Sequence, residues 1–259
     1  MKFGPTAISS ASLYPQLTTE AALASIAALG CTEVEVFLQT TSEYQYSYAI
    51  KLARLCRRLG LTVHSLHGPA AQYEPLLFYR YRRQNADSFK TLHSIHQAAA
   101  LLGARCHVFH GPLKGENMAM SRLSQGLEKA AAAAGAWGLK LALENVSWCA
   151  GHSPSVFQEL TRQQINNLFY TFDSKQALRS GYPASEFIGA MGDRLVNVHL
   201  SQGNGQLPGA DGDFGEIAKA LKAAKYSGPI VLEVYGAKVP RLSALGAGWR
   251  RLKENFAEI

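Results

Sequence analysis

The sequence predicts a (β/α)8 barrel of the TIM type, with residues 1–259 forming one domain. Three observations predict it. Strand-like and helix-like runs alternate along the whole chain, with eight strands at a period of about 30 residues, the size of one β-α unit. The length of 259 residues suits a single α/β barrel, which commonly takes about 250. Carboxylates and imidazoles recur at the carboxyl ends of the strand-like runs, where such folds collect their chemistry. A doubly wound sheet is the rival, but no G-x-G-x-x-G follows the first strand.

Phe3–Ser9 reads as the first strand. Thr18 or Thr19 caps a helix through Leu29, which Gly30 ends. Glu33–Leu38 alternates as strand two, and Tyr44–Leu59 is helical up to Gly60. Leu61–Leu66 is strand three, followed by His67-Gly68-Pro69. A polar, aromatic loop leads to a long helix, Tyr79–Leu102, stopped by Gly103. Cys106–Phe109 is strand four, followed by His110-Gly111-Pro112. Helix Asn117–Trp137 contains the Ala130–Ala134 run, small residues that let a helix pack close to the sheet. In Leu139–Glu144, Leu139, Leu141 and Leu143 alternate with Lys140, Ala142 and Glu144 as strand five. Ser153 or Ser155 opens a helix to Gln163. Leu168–Phe172 is strand six, ending in Asp173. Helix Ala184–Met191 precedes strand Leu195–Leu200, which contains His199. The Gly-rich loop 203–212 leads to helix Phe214–Ala224, strand Ile230–Val234 contains Glu233, and helix Leu242–Phe256 closes the chain.

Composition narrows the class. Apolar residues make up 47% and charged residues 17%, which suits a compact enzyme-like domain rather than a disordered chain. The formal charge is +7, but basic residues are scattered apart from Arg80, Arg82 and Arg83. That pattern favours a solvated face, or steering of a phosphate or carboxylate, over a nucleic-acid stripe. Cys31, Cys56, Cys106 and Cys149 show no C-x-x-C spacing and read as small core residues in a reducing, cytoplasmic setting. The first 15 residues carry no export-type apolar segment, and no apolar run approaches the ~20 residues of a membrane span.

Glu144, Asp173, His199 and Glu233 end successive strands, 29, 26 and 34 residues apart, and a barrel brings such ends to one mouth. Three carboxylates and an imidazole packed together need a compensating charge. One divalent cation supplies it, and mixed oxygen and nitrogen donors suit Mn, Mg, Co or Zn. His67 and His110 each precede Gly-Pro directly after a strand, a turn that would leave the imidazole at the mouth. Substrate contact, proton transfer or a second metal position are open to them, as is plain strand-end capping. Lys175 would meet an anionic substrate or be solvated. Glu35, mid-strand, reads as part of a polar layer inside the barrel, and His64 and His107 as core or helix-facing. His93 and His96, one turn apart, read as helix surface, and His152 as a loop residue near the rim.

These residues together resemble the xylose isomerase-like superfamily, which includes sugar-phosphate isomerases and epimerases, ketose 3-epimerases, inosose dehydratases and endonuclease IV. The likeness spans nearly the whole chain. It is carried by His-Gly-Pro at 67–69 and 110–112, Leu143-Glu144-Asn145, Phe172-Asp173, Val198-His199-Leu200, the loop 208–214 and Leu232-Glu233-Val234. The resemblance implies one metal held by Glu144, Asp173, His199 and Glu233, with the two glutamates doubling as acid and base. Endonuclease IV relatives carry further zinc-binding histidines; one matching position here is Gln176, and residues 201–215 contain no His, which disfavours a nuclease. Ketose 3-epimerases place Glu, His and Arg around the substrate where this chain has Ala150, Gln176 and Gly205, which marks a different substrate pocket with Gln176 among its residues. The chain also resembles the ketogluconate-utilisation epimerases, a sugar-acid branch compatible with a basic protein and an anionic substrate.

The expected activity is a divalent-metal-dependent isomerase or epimerase acting on a keto-sugar, sugar phosphate or sugar acid through an enediolate. A keto-polyol dehydratase on the same scaffold, an endonuclease IV-like enzyme and a non-catalytic sugar-binding barrel are the alternatives. The expected partner is a small carbohydrate, with neither membrane nor nucleic acid; barrels of this kind often pair, which is compatible with a homodimer.

Overall fold

A computed structural model describes residues 3–115, 118–209 and 211–257. Eight parallel strands close into a barrel in chain order. They are β1 (Thr6–Ser9), β2 (Glu33–Phe37), β3 (Thr62–His67), β4 (Cys106–Phe109), β5 (Lys140–Glu144), β6 (Leu168–Asp173), β7 (Leu195–Leu200) and β8 (Ile230–Leu232). The barrel closes where Thr6, Ala7 and Ile8 of β1 pair with Ile230, Val231 and Leu232 of β8. The helices are α1 (Thr19–Ala28), α2 (Tyr46–Arg58), α3 (Ala70–Tyr73), α4 (Arg82–Leu102), α5 (Met120–Gly135), α6 (Pro154–Arg162), α7 (Ser174–Ser180), α8 (Ala184–Met191), α9 (Gly215–Ala223) and α10 (Leu242–Ala257).

Local chemistry accounts for many boundaries. The Thr18 hydroxyl accepts from the Ala21 amide and starts α1. Gly103, at φ 77°, ends α4 in the left-handed conformation that glycine adopts without a Cβ penalty. Ala130, Ala131 and Ala134 are fully buried, so α5 lies close on the barrel. All four cysteines are free and buried.

The structure departs from the sequence expectation in several places. β1 begins at Thr6 because Pro5 has no amide to donate to a ladder, although its carbonyl accepts from Ile230. The polar, aromatic loop after β3 is partly helical, with α3 followed by a 3-10 turn over Pro75–Phe78, and the long helix starts at Arg82. The expected helix start at Asn117 lies outside the described residues; the helix runs from Met120. A helix not anticipated, α7, follows Asp173 directly. β8 ends at Leu232, so Glu233 sits just past the strand, where its amide still donates to the Leu200 carbonyl. His96, read as helix surface, is fully buried: its Nε2 lies 3.1 Å from Nδ1 of buried His107, on the face of α4 that packs on β4. His93 is exposed as expected.

Candidate metal centre

The parallel register sets the site. Glu144 pairs across to Thr171, Asp173 to His199, and His199 to Val231, two residues before Glu233. The mouth therefore receives Glu144, Asp173, His199 and Glu233 from adjacent strand ends. A ligand atom from each lies within 4.8 Å of the others, and all four residues are buried. His67, His110 and Glu144 form a second such group beside it.

Each side chain is held by a neighbour. The Asn145 amide grips the Asp173 backbone twice, accepting from its N–H at 2.6 Å and donating to its carbonyl at 3.0 Å. Asp173 Oδ1 accepts from the Gln176 amide at 2.8 Å and so caps α7. An Asp followed three residues later by Gln is a capping spacing, the signal by which the sequence announces this helix. Nε2 of His199 lies 2.8 Å from Glu35 Oε2, and Ser65 Oγ donates to the same oxygen at 2.7 Å. With its Nε2–H donated to Glu35, His199 turns Nδ1 toward Glu233 Oε2 at 3.6 Å and Glu144 Oε1 at 3.9 Å.

On the other flank, His67 Nδ1 donates to the Gly68 carbonyl at 2.8 Å, leaving Nε2 as an acceptor 2.9 Å from His110 Nε2. His110 Nε2 is also 3.1 Å from Glu144 Oε2. The amides of His110 and Gly111 donate to buried Glu74, at 2.6 and 2.9 Å. This anchors a turn whose Gly111 has φ 79°, a conformation that demands glycine. Glu74 lay inside a stretch with no periodicity, so only its chemistry could have flagged it.

Lys175 and Gln176 both lie on α7 and are buried. The Lys175 ammonium sits 3.0 Å from Glu233 Oε2 and 3.1 Å from Asp173 Oδ2. Gln176 Oε1 accepts from the Ser147 amide at 3.2 Å and from its hydroxyl at 3.0 Å, tying the segment after β5 to α7. His152 is half-buried, with Nδ1 3.2 Å from the Cys149 carbonyl. Aromatic rings not anticipated from the sequence surround the group. Phe37 lies 4.4 Å from the His67 ring, half-exposed Trp148 stands edge-on to His110 at 6.5 Å, and the Tyr235 ring lies 4.9 Å from the Lys175 ammonium. A cleft of about 280 Å³ lined by Ser10, Tyr14, Phe37, Gln39 and Glu43 opens beside them at the ends of β1 and β2. A cavity of about 510 Å³, lined by His64, Arg105 and Lys140, lies at the opposite end of the barrel, away from this group.

Charge is balanced internally. Burial favours the neutral acid at Glu144, but His110 and His199 hold its carboxyl well below the usual range. Burial raises Asp173 despite the pull of Lys175, whereas Lys175 and His199 hold Glu233 down against burial. Burial opposes charge on His199, yet Glu35 and Glu233 raise its pKa well above the ordinary value. The residues fit a divalent ion. Glu144 Oε2 and His199 Nδ1 are buried and find no hydrogen-bond partner among the described residues, and the oxygen-plus-imidazole set is that of a borderline-hard cation.

A family model described as a xylose isomerase-like TIM barrel matches residues 23–255. The uncharacterized protein ML2432 of Mycobacterium leprae is 27% identical over 256 residues, covering 88% of this chain and 87% of its own. Among solved structures, a D-tagatose 3-epimerase-like protein superposes with a TM-score of 0.78 at 20% identity, covering 98% of this chain and 97% of that one. A 3-keto-D-glucoside 4-epimerase from E. coli superposes with a TM-score of 0.77 at 15% identity, covering 99% of both. At such identities the structural likeness shows the fold.

Proposed function

The chain belongs to the xylose isomerase-like TIM-barrel family, and from that premise we propose that it is a divalent-metal-dependent isomerase or epimerase of a keto-sugar, sugar phosphate or sugar acid. One observation carries the reading: Glu144, Asp173, His199 and Glu233 converge within 4.8 Å at the barrel mouth, where Glu144 Oε2 and His199 Nδ1 find no hydrogen-bond partner among the described residues. The solved structures that share the fold include an L-ribulose 3-epimerase and a 3-keto-D-glucoside 4-epimerase, and this supports a carbonyl-bearing sugar as substrate.

Glu144, Asp173, His199 and Glu233 would hold the ion. When bound, it would supply Lewis-acid stabilisation of the negative charge that develops on the substrate's carbonyl oxygen. The residues divide the remaining work. One of Glu144 and Glu233 takes the proton from the carbon beside the carbonyl; the other returns one. His110, 3.1 Å from Glu144 Oε2, stands beside that carboxylate as its ion-pair partner and holds it in the charged form. His67, fixed by the Gly68 carbonyl, holds His110 in turn. The exposed faces of Trp148 and Tyr235 offer apolar surface to the C–H face of a sugar ring.

The test combines metal content with solvent exchange. Protein never exposed to chelator should carry about one Mn, Mg, Co or Zn per chain by elemental mass spectrometry, lost in Glu233→Ala. Incubation with keto-sugar panels in D2O should place deuterium beside the carbonyl. Glu144→Gln should abolish that exchange while ligand binding by calorimetry persists. No metal even after incubation with Mn2+, or full turnover in Glu144→Gln, would sink the assignment.

A further inference from the structure

We propose that Lys175 is a resident counter-cation of this centre, and that a divalent ion binds by displacing its ammonium from Asp173 and Glu233; the inference rests on the metal reading above. Lys175 is 1% exposed, an extreme for a residue that almost always keeps its charge in water. Its Nζ lies 3.0 Å from Glu233 Oε2 and 3.1 Å from Asp173 Oδ2, which makes it a partner to two of the four candidate donors. It arrives there by construction. Asp173 caps α7, so Lys175 falls in the first helical turn and its side chain can return to the strand ends. The stem is packed as well: a Cβ at Gly205 would stand 3.1 Å from Lys175 Cδ, and the Tyr235 ring lies 4.9 Å from the ammonium.

An ammonium and a divalent ion bound to the same two carboxylates repel each other at close range in a buried setting. Metal entry must therefore move Lys175, and the affinity for metal is lowered by the strength of the two ion pairs it breaks. Buried carboxylates left without either cation would be costly, so the lysine also preserves the fold when metal is scarce.

The test is Mn2+ binding to the full chain by calorimetry, comparing wild type with Lys175→Met and Lys175→Gln, which are one atom shorter and remove the charge. Both variants should bind Mn2+ tighter than wild type, by on the order of tenfold. If a variant is unfolded in chelator, Mn2+ should restore its circular dichroism, because the ion takes over the role of the ammonium. Wild type that binds Mn2+ with folded variants no tighter, or variants that stay unfolded at saturating Mn2+, would overturn the exchange and leave the metal site standing. Folded wild type and folded variants that both ignore Mn2+ would overturn the metal site and the exchange together.

Discussion

At the scale of single residues, the support behind the proposed donors is as informative as the donors. Glu35 sits 164 positions from His199 in sequence, yet Glu35 Oε2 lies 2.8 Å from its Nε2. Strand alternation showed only that Glu35 faces the barrel interior. Which imidazole it meets depends on closing eight strands, and no local pattern carries that. Partners of this kind orient a metal-binding histidine and raise its basicity. Glu35→Gln should leave the barrel folded and weaken Mn2+ affinity by about 10–100-fold in a calorimetric titration; unchanged affinity would remove Glu35 from this role. The proposed donors were legible because each ends a strand-like run, and strand ends are the one place where sequence order and spatial order coincide in this architecture.

At the scale of elements, Asp173 serves two masters, with Oδ1 capping α7 and Oδ2 facing Lys175. The functions separate by substitution. Asn caps a helix about as well as Asp, whereas Ala costs roughly 1 kcal/mol. Asp173→Asn should therefore retain more thermal stability than Asp173→Ala, while both lose Mn2+ binding. Equal loss of stability in the two variants would mean that the cap contributes nothing. Most elements were readable from periodicity and stop signals: β4, α8 and β7 have the bounds that alternation and glycine punctuation suggest. The segment 70–80 was not, because its short turns are specified by burial of Glu74 and Tyr73 against β4 rather than by a repeating pattern. His96 was misplaced for a related reason: an imidazole counts as polar in a helical pattern, but a second buried imidazole, His107, can satisfy its Nε2.

At the scale of the molecule, the core carries neutral histidines that make it acid-sensitive. Burial, reinforced by the nearby Arg105 guanidinium, lowers His64 to about 4, and burial lowers His96 to about 3. An unfolded histidine titrates near ~6.5. Between that value and the folded one, the unfolded chain binds a proton that the folded chain refuses, so stability falls as pH drops from 6.5 toward 4. His64→Gln should flatten the stability-pH curve over this window by up to about one proton, on the order of 3 kcal/mol in total, in urea titrations at stepped pH; an unchanged slope would show that His64 does not titrate this way. The ladder of strands also divides labour around the ring. The four proposed metal donors come from β5, β6, β7 and the residue after β8, while the cleft lined by Tyr14, Phe37, Gln39 and Glu43 belongs to β1 and β2. On the proposed function, mutations that reshape the early segment would alter which sugar reaches the centre and leave Glu144 and Glu233 in place. For a lineage, that arrangement is inheritance in two parts. If the proposed reaction holds, descendants that exchange the stretch before β3, by drift or recombination, would acquire a new diet without having to reinvent the chemistry.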